Sequence, residues 1–226
     1  MRRGATYAVL HRDPTLLVVD KAPGVLVVPP PGSRERCLLD DLRRDGLRVA
    51  PVHRLDRDTS GVLLLCLDPA QRAALEGAFR KHEVRKEYLA LVRGVPATKR
   101  ATIDIPILDQ GATARVDRRG RRAVTHYEVL RTLPGRRAGG LASLVRLSLE
   151  SGRHNQVRVH MAHLGHPLLG DAKYGRRERD GAPYRPARCL LHAERLALRH
   201  PATGQPLEVA APLPADMEEA LAALAV

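Results

Sequence analysis

The chain has 226 residues, 44% of them hydrophobic, and its 38 Lys and Arg outnumber 25 Asp and Glu for a net charge of +13. That apolar content supports a real core in one large domain or two close subdomains, while no apolar run reaches the ~18–20 residues of a membrane span. Cys37, Cys66 and Cys189 are too few and too scattered for a disulfide framework or a zinc knuckle. No signal-type apolar block follows Met1-Arg2-Arg3-Gly4, so a cytoplasmic protein is expected. The basic excess favours a polyanion partner, because Arg and Lys neutralise phosphates and release counterions; general solubility or a compositional bias toward Arg is the plainer alternative. With no Trp and a single Phe, Phe79, rows of stacking rings are not the means of holding nucleic acid.

Thr15 to Lys21 and Gly24 to Val28 read as two short strands joined at Pro23-Gly24. Cys37 to Asp45 has helical spacing, with Gly46 as its stop. His53 to Gly61 then packs two Asp, two Arg, His, Thr and Ser into one short segment, directly before the apolar strand Val62 to Leu67. Charges beside a core strand must pair among themselves or serve a purpose. Asp68 reads as the N-cap of a helix with Pro69 at N1 and Gln71 at N3, and Leu75 and Phe79 form its buried face.

Lys86 to Val92 returns to strand and ends at Gly94 and Pro96. Ala114 to Arg122 carries five Arg and reads as a hairpin tip leading into the strand Ala123 to Leu130, a solvated tip or a nucleic-acid contact. Leu144 to Leu149 is a further strand. Asn155 to Leu164 is a helix with Val157, Met161 and Leu164 on one face and Gly165 at C′. Leu190 to Leu198 and Leu207 to Ala210 are strands, and Pro214 to Leu224 a last helix. Helices and strands mix without strict alternation, which argues α+β.

Three segments carry a more specific signal. His53-Arg54-Leu55-Asp56-Arg57-Asp58-Thr59-Ser60-Gly61, Lys86-Glu87-Tyr88-Leu89-Ala90 and Ser151-Gly152-Arg153-His154-Asn155-Gln156-Val157-Arg158-Val159-His160 occur in that order. Gly165-His166-Pro167, Gly170-Asp171-Ala172-Lys173-Tyr174-Gly175, Leu191-His192-Ala193 and His200-Pro201 follow. Together they resemble the RluA-type family of RNA pseudouridine synthases, from about Tyr7 to about Ala211. Ser151 and Asn155 depart from the family's usual Thr and His, and each keeps a hydrogen-bonding group.

The resemblance implies a pseudouridine synthase fold: a mixed, mainly antiparallel central sheet flanked by helices and loops, with the active-site cleft across the sheet. It implies a single catalytic domain over residues 1–226, without the N-terminal S4 module of many relatives. It puts Asp56 in the catalytic position, with Tyr88 and Arg158 as its partners. Arg54 would fill the space of an unstacked base, and Arg57, Arg153, Arg118, Arg119 and Arg121 are the further candidates for RNA contact. The isomerisation needs no cofactor. The expected partner is rRNA or tRNA, with no membrane, no protein partner and a monomeric enzyme.

Each residue also has a plainer reading. Asp56 would cap a turn or pair with Arg54 or Arg57, Tyr88 would be a half-buried strand residue, and Arg158 a solvated helix position. Asp58, Thr59 and Ser60 hold the loop. His154, His160, His163 and His166 raise a metal site, but no Cys or carboxylate completes one at typical spacing; His160 is expected to hydrogen-bond within its motif. The competing functions are a non-catalytic RNA-binding or ribosome-assembly factor, and a metal-dependent nuclease using Asp56 and Asp58.

Overall fold

The computed structural model describes residues 5–30, 32–134, 140–175 and 185–225. Met1 to Gly4 and most of the basic Arg176 to Arg188 segment lie outside the described residues. In chain order the elements are β1 (Tyr7–Arg12), β2 (Leu16–Lys21), α1 (Leu38–Arg44), β3 (Ala50–Pro51), β4 (Ser60–Cys66), α2 (Arg72–Arg80), β5 (Arg85–Arg93), β6 (Arg100–Asp104) and β7 (Ile107–Asp109). They continue with β8 (Ala114–Val116), β9 (Val124–Leu133), β10 (Ala142–Leu149), α3 (Gln156–His163), β11 (Leu191–Arg199), β12 (Pro206–Ala210) and α4 (Ala215–Leu224). The class is α+β with mainly antiparallel strands, as expected. The chain divides into two compact units. One takes the chain up to Lys86 and again Ala193–Pro212; the other takes Glu87–His192 and the chain from Leu213 onward.

In the first unit β1, β2, β4 and β11 follow one another in the sheet, with β3 on β4 and β12 on β11. Leu16, Val18, Leu64 and Cys66 pack with Leu75 of α2 on one face. Their alternates Leu17, Val19, Leu63 and Leu65 are equally buried, so β2 and β4 read as continuous apolar runs rather than alternating ones. Gly24 to Val28 is a loop and not the expected strand. Its carbonyls go elsewhere: Val25 O accepts from Lys21 Nζ and Leu26 O from the Leu38 amide. Asp68 caps a single 3₁₀ turn, Pro69–Gln71, ahead of α2 rather than α2 itself.

In the second unit β5, β10, β9 and β6 lie side by side, paired antiparallel. Ala90, Val92, Val145 and Leu147 pack against Val157 and Met161 of α3. On the opposite face Leu89, Leu91 and Ala142 pack against Met217, Ala220 and Leu224 of α4. Leu164 is exposed instead of sharing the Val157–Met161 face, and the fully buried His160 lies inward. The expected hairpin tip at Ala114 to Arg122 lies earlier. β7 and β8 are the hairpin arms, Gln110 to Thr113 its tip, and Asp117 to Gly120 a tight turn before β9.

The loop between β1 and β2 is tied to the β11–β12 turn through Asp13. Its Oδ2 accepts from His11 Nε2 at 2.7 Å and His200 Nε2 at 3.2 Å, and its Oδ1 from the Thr15 and Leu16 amides. Burial opposes ionisation there, but the His11 and backbone hydrogen bonds and the His200 charge win and lower its pKa from 3.8 to about 2. A depressed carboxylate stabilises the fold above its unfolded value and loses that contribution as pH falls through the folded one. Asp13→Ala is therefore expected to cost about 2 kcal/mol at neutral pH. In urea denaturation the gap between variant and wild type should close between pH 4 and pH 2; a gap independent of pH would overturn the assignment.

Candidate active site

Asp56 lies half-buried in the first unit, on the loop between β3 and β4. The loop is fixed on both sides of it. Leu55 is buried, the Asp56 carbonyl accepts from the Thr59 amide at 3.2 Å, and the Arg57 carbonyl accepts from Lys21 Nζ at 3.0 Å. Lys21 is wholly buried at the end of β2 and also donates to Ala22 O and Val25 O. A buried ammonium must have its donors met by the protein, and three backbone carbonyls accept from this one. The exit into β4 needs glycine: Gly61 has φ +108°, and a Cβ there would lie 2.2 Å from Ala193 O.

His53 opens the same motif as a scaffold group. Its Nε2 accepts the Leu64 amide at 2.9 Å and its ring stacks on Phe79 with centroids 4.4 Å apart. Burial, with the Lys86 charge, pushes its pKa down to about 3. Its lone pair is committed to backbone, so His53 does not serve as a base. Arg54 is exposed, whereas Arg57 forks onto Glu35 with N–O distances of 2.6 and 2.8 Å.

The second unit holds Tyr88 and Arg158. Tyr88 on β5 packs, half-buried, on the apolar cluster that includes Val157 and Met161 of α3, and α3 is the helix that carries Arg158. Asn155 caps α3 with φ +53°. Ser151 accepts the Val124 amide and donates to Gln156 Oε1 at 2.8 Å. Gln156 Nε2 donates to Val124 O and Thr125 Oγ1. His160 bonds Thr125 Oγ1 and Ile105 O, and burial lowers its pKa. This closed network sets the angle at which α3 leaves its loop, and it shows what Ser151 does in place of Thr.

Arg158 is not the solvated residue its position on an isolated helix suggests. Its side chain is 12% exposed and forks onto the fully buried carboxylate of Asp171. Among the RNA-contact candidates, Arg153 donates to Arg122 O and Arg119 pairs with Asp117. Arg118 and Arg121 are exposed and form no ion pair among the described residues. The residues read from sequence thus divide into Asp56, Arg54 and Arg57 in the first unit and Tyr88, Arg118, Arg119, Arg121, Arg153 and Arg158 in the second. Lys21, Gln156 and the holding role of Asp171 were not read from sequence. A lysine ending an apolar strand resembles a solvated one, and its full burial emerges only from the fold.

Lys21→Met should leave buried carbonyls unsatisfied and cost about 3 kcal/mol. It should also slow turnover more than it weakens RNA binding. Denaturation and single-turnover assays check this; a wild-type rate would show that the Asp56 loop does not depend on the lysine.

Residues 15–163 match the family model of RNA pseudouridylate synthase. The chain is 39% identical to tRNA pseudouridine synthase C of Salmonella typhimurium, over 94% of this chain and 88% of that one. It is 34% identical to ribosomal large subunit pseudouridine synthase D of Zymomonas mobilis, over 93% and 70% of the two chains. Human RNA pseudouridylate synthase domain containing 1 superposes with a TM-score of 0.77 at 30% identity, covering 94% of this chain and 86% of that one. With these matches across both units, the chain belongs to the RNA pseudouridylate synthase family, isomerases that act on RNA.

Proposed function

We propose that this pseudouridine synthase acts on uridine in structured tRNA or ribosomal RNA, with Asp56 as the catalytic carboxylate. The observation that carries the assignment is the immobilised loop, held by Leu55 on one side of Asp56 and by Lys21 on the other. Pseudouridine forms when the N1–C1′ bond breaks, the base turns and C5 joins C1′. A fixed carboxylate does the sugar's part of this as nucleophile or as base. Arg158 supports the ionised carboxylate. Tyr88 offers a ring to the uracil and a hydroxyl to assist loss of the C5 proton. The reaction has no redox change, phosphoryl transfer or energy input, so the reading needs no cofactor, and the enzyme acts as a cytoplasmic monomer.

RNA is held by Arg54, Arg57, Arg153, Arg118, Arg119 and Arg121. Both RNA classes stand behind the reading, because relatives are named for tRNA and for the large ribosomal subunit. Carbodiimide mapping of pseudouridine in total RNA, with and without the gene, names the target through the sites that disappear.

Asp56→Asn should abolish product while RNA affinity and melting temperature stay near wild type. Pseudouridine formed by that variant would refute the assignment, and loss of wild-type activity in EDTA would favour metal chemistry instead. Arg54 fills the gap left by the unstacked base, and unstacking costs a few kcal/mol. Arg54→Ala should therefore slow modification of folded RNA more than of a flexible single-stranded oligonucleotide; equal losses on both would remove this role.

A further inference from the structure

The segment Gly170 to Gly175 has no part in the reaction as described, yet it contains the most completely buried carboxylate near Arg158. Asp171 receives Arg158 Nε on Oδ2 at 2.8 Å and Nη2 on Oδ1 at 2.7 Å. Arg158 Nη1 donates to Asn155 Oδ1 at 3.2 Å. The Tyr174 ring lies under the guanidinium, 5.2 Å from Cζ to centroid. One edge, one further nitrogen and one face are thus held, which fixes the plane of the group.

The same carboxylate builds the turn. Asp171 Oδ1 also accepts the amides of Lys173 at 2.9 Å and Tyr174 at 3.0 Å, so the group that grips Arg158 also brings the Tyr174 ring to it. The turn closes through Gly175 N to Asp171 O, where a Cβ on Gly175 would lie 2.4 Å from that oxygen. The Tyr174 hydroxyl accepts Asn155 Nδ2 and the Ala114 amide, both at 2.9 Å. Ala114 opens β8, so the turn also anchors the basic hairpin.

We propose that the Asp171–Gly175 turn is the positioning element of Arg158, with Asp171 fixing the guanidinium plane and Tyr174 closing its face. The proposal rests on the reading of Arg158 as the arginine that supports the reaction. A buried ion pair is a poor means of gaining stability, since well-packed apolar groups do as well. Its value here is directional. A guanidinium has five N–H donors; Asp171 takes one from Nε and one from Nη2, and Asn155 one from Nη1.

The test measures tritium release from RNA labelled at uridine C5, using total RNA from a strain lacking the gene, under single-turnover conditions. Asp171→Asn is expected to lower the rate at saturating enzyme about 100-fold. The half-saturating concentration should move less than about threefold. In an Arg158→Met background Asp171→Asn should cost nothing further, because it acts through that arginine. A wild-type rate for Asp171→Asn beside an inactive Arg158→Met overturns the positioning role alone. A loss that adds in full to that of Arg158→Met does the same. A wild-type rate for Arg158→Met overturns both readings together. Should Asp171→Asn not fold, the arginine ¹⁵N spectrum of the wild-type enzyme decides. Separate Nη signals, assigned by their absence in Arg158→Lys, support a clamped group, and one averaged signal overturns it.

Discussion

A charge shut away from water must have its hydrogen bonds met by protein, and both units of this chain are organised around that constraint. In the first unit the charge is the Lys21 ammonium, 0% exposed, which reaches the carbonyls of Ala22, Val25 and Arg57. In the second it is the Asp171 carboxylate, whose side chain is also 0% exposed and which takes the Arg158 fork and two amides of its own turn. An unmatched buried charge would cost several kcal/mol, so neither loop is at liberty to relax away from its anchor. Each anchor lies beside a residue proposed to act on RNA. Rigidity at Asp56 and at Arg158 is thus a consequence of electrostatics before it is a matter of packing.

The histidines of the motif segments follow the same economy. His53 accepts a backbone amide and His160 bridges Thr125 and Ile105, and burial holds both pKa values below the ordinary one. Neutral imidazoles whose ring nitrogens are committed in this way orient their surroundings but do not shuttle protons. This fits the proposal that carboxylate and phenol do the acid–base work of the site. Among the described residues, no group of three or more His, Cys, Asp or Glu is placed to hold a metal ion.

Much of this was legible from the residues. β4 shows itself as an unbroken apolar run, α3 by its spacing and by Gly165, and the three motifs by their order. What was hidden was hidden for physical reasons. Gly24 to Val28 is apolar enough for a strand, but Lys21 and the start of α1 claim its carbonyls, a demand that no local pattern reveals. β1 escaped notice because Ala8 and Val9 are exposed and a bulge between Val9 and His11 breaks its register. On α3 hydropathy misplaces the buried face, because Gln156 and His160 are polar and buried while Leu164 is apolar and exposed. Polar residues go inward only when partners wait for them, and those partners, Thr125 and Ile105, lie 31 to 55 residues away.

Net charge is the coarsest of the signals, and the ion pairs refine it. Arg57 is engaged by Glu35, Arg119 and Arg115 share Asp117, and Arg188 forks onto Asp216 at the start of α4. Arg188 and Arg158 are buried cations, whereas the Arg57–Glu35 pair is open to solvent, where a pair contributes little; the Asp117 carboxylate is mostly covered beneath Arg115 and Arg119. On the proposed reading an RNA phosphate competes with the exposed Glu35 carboxylate at small cost, which leaves Arg57 open to it. Arg54, Arg118 and Arg121 are exposed without any such competition from an ion pair among the described residues. The surplus of +13 and the buried Arg158 are thus separable matters, because Asp171 neutralises that arginine. On the proposed reading, surface arginines gather the polyanion over a salt-dependent range, and the buried Arg158, held by Asp171, acts through its direction.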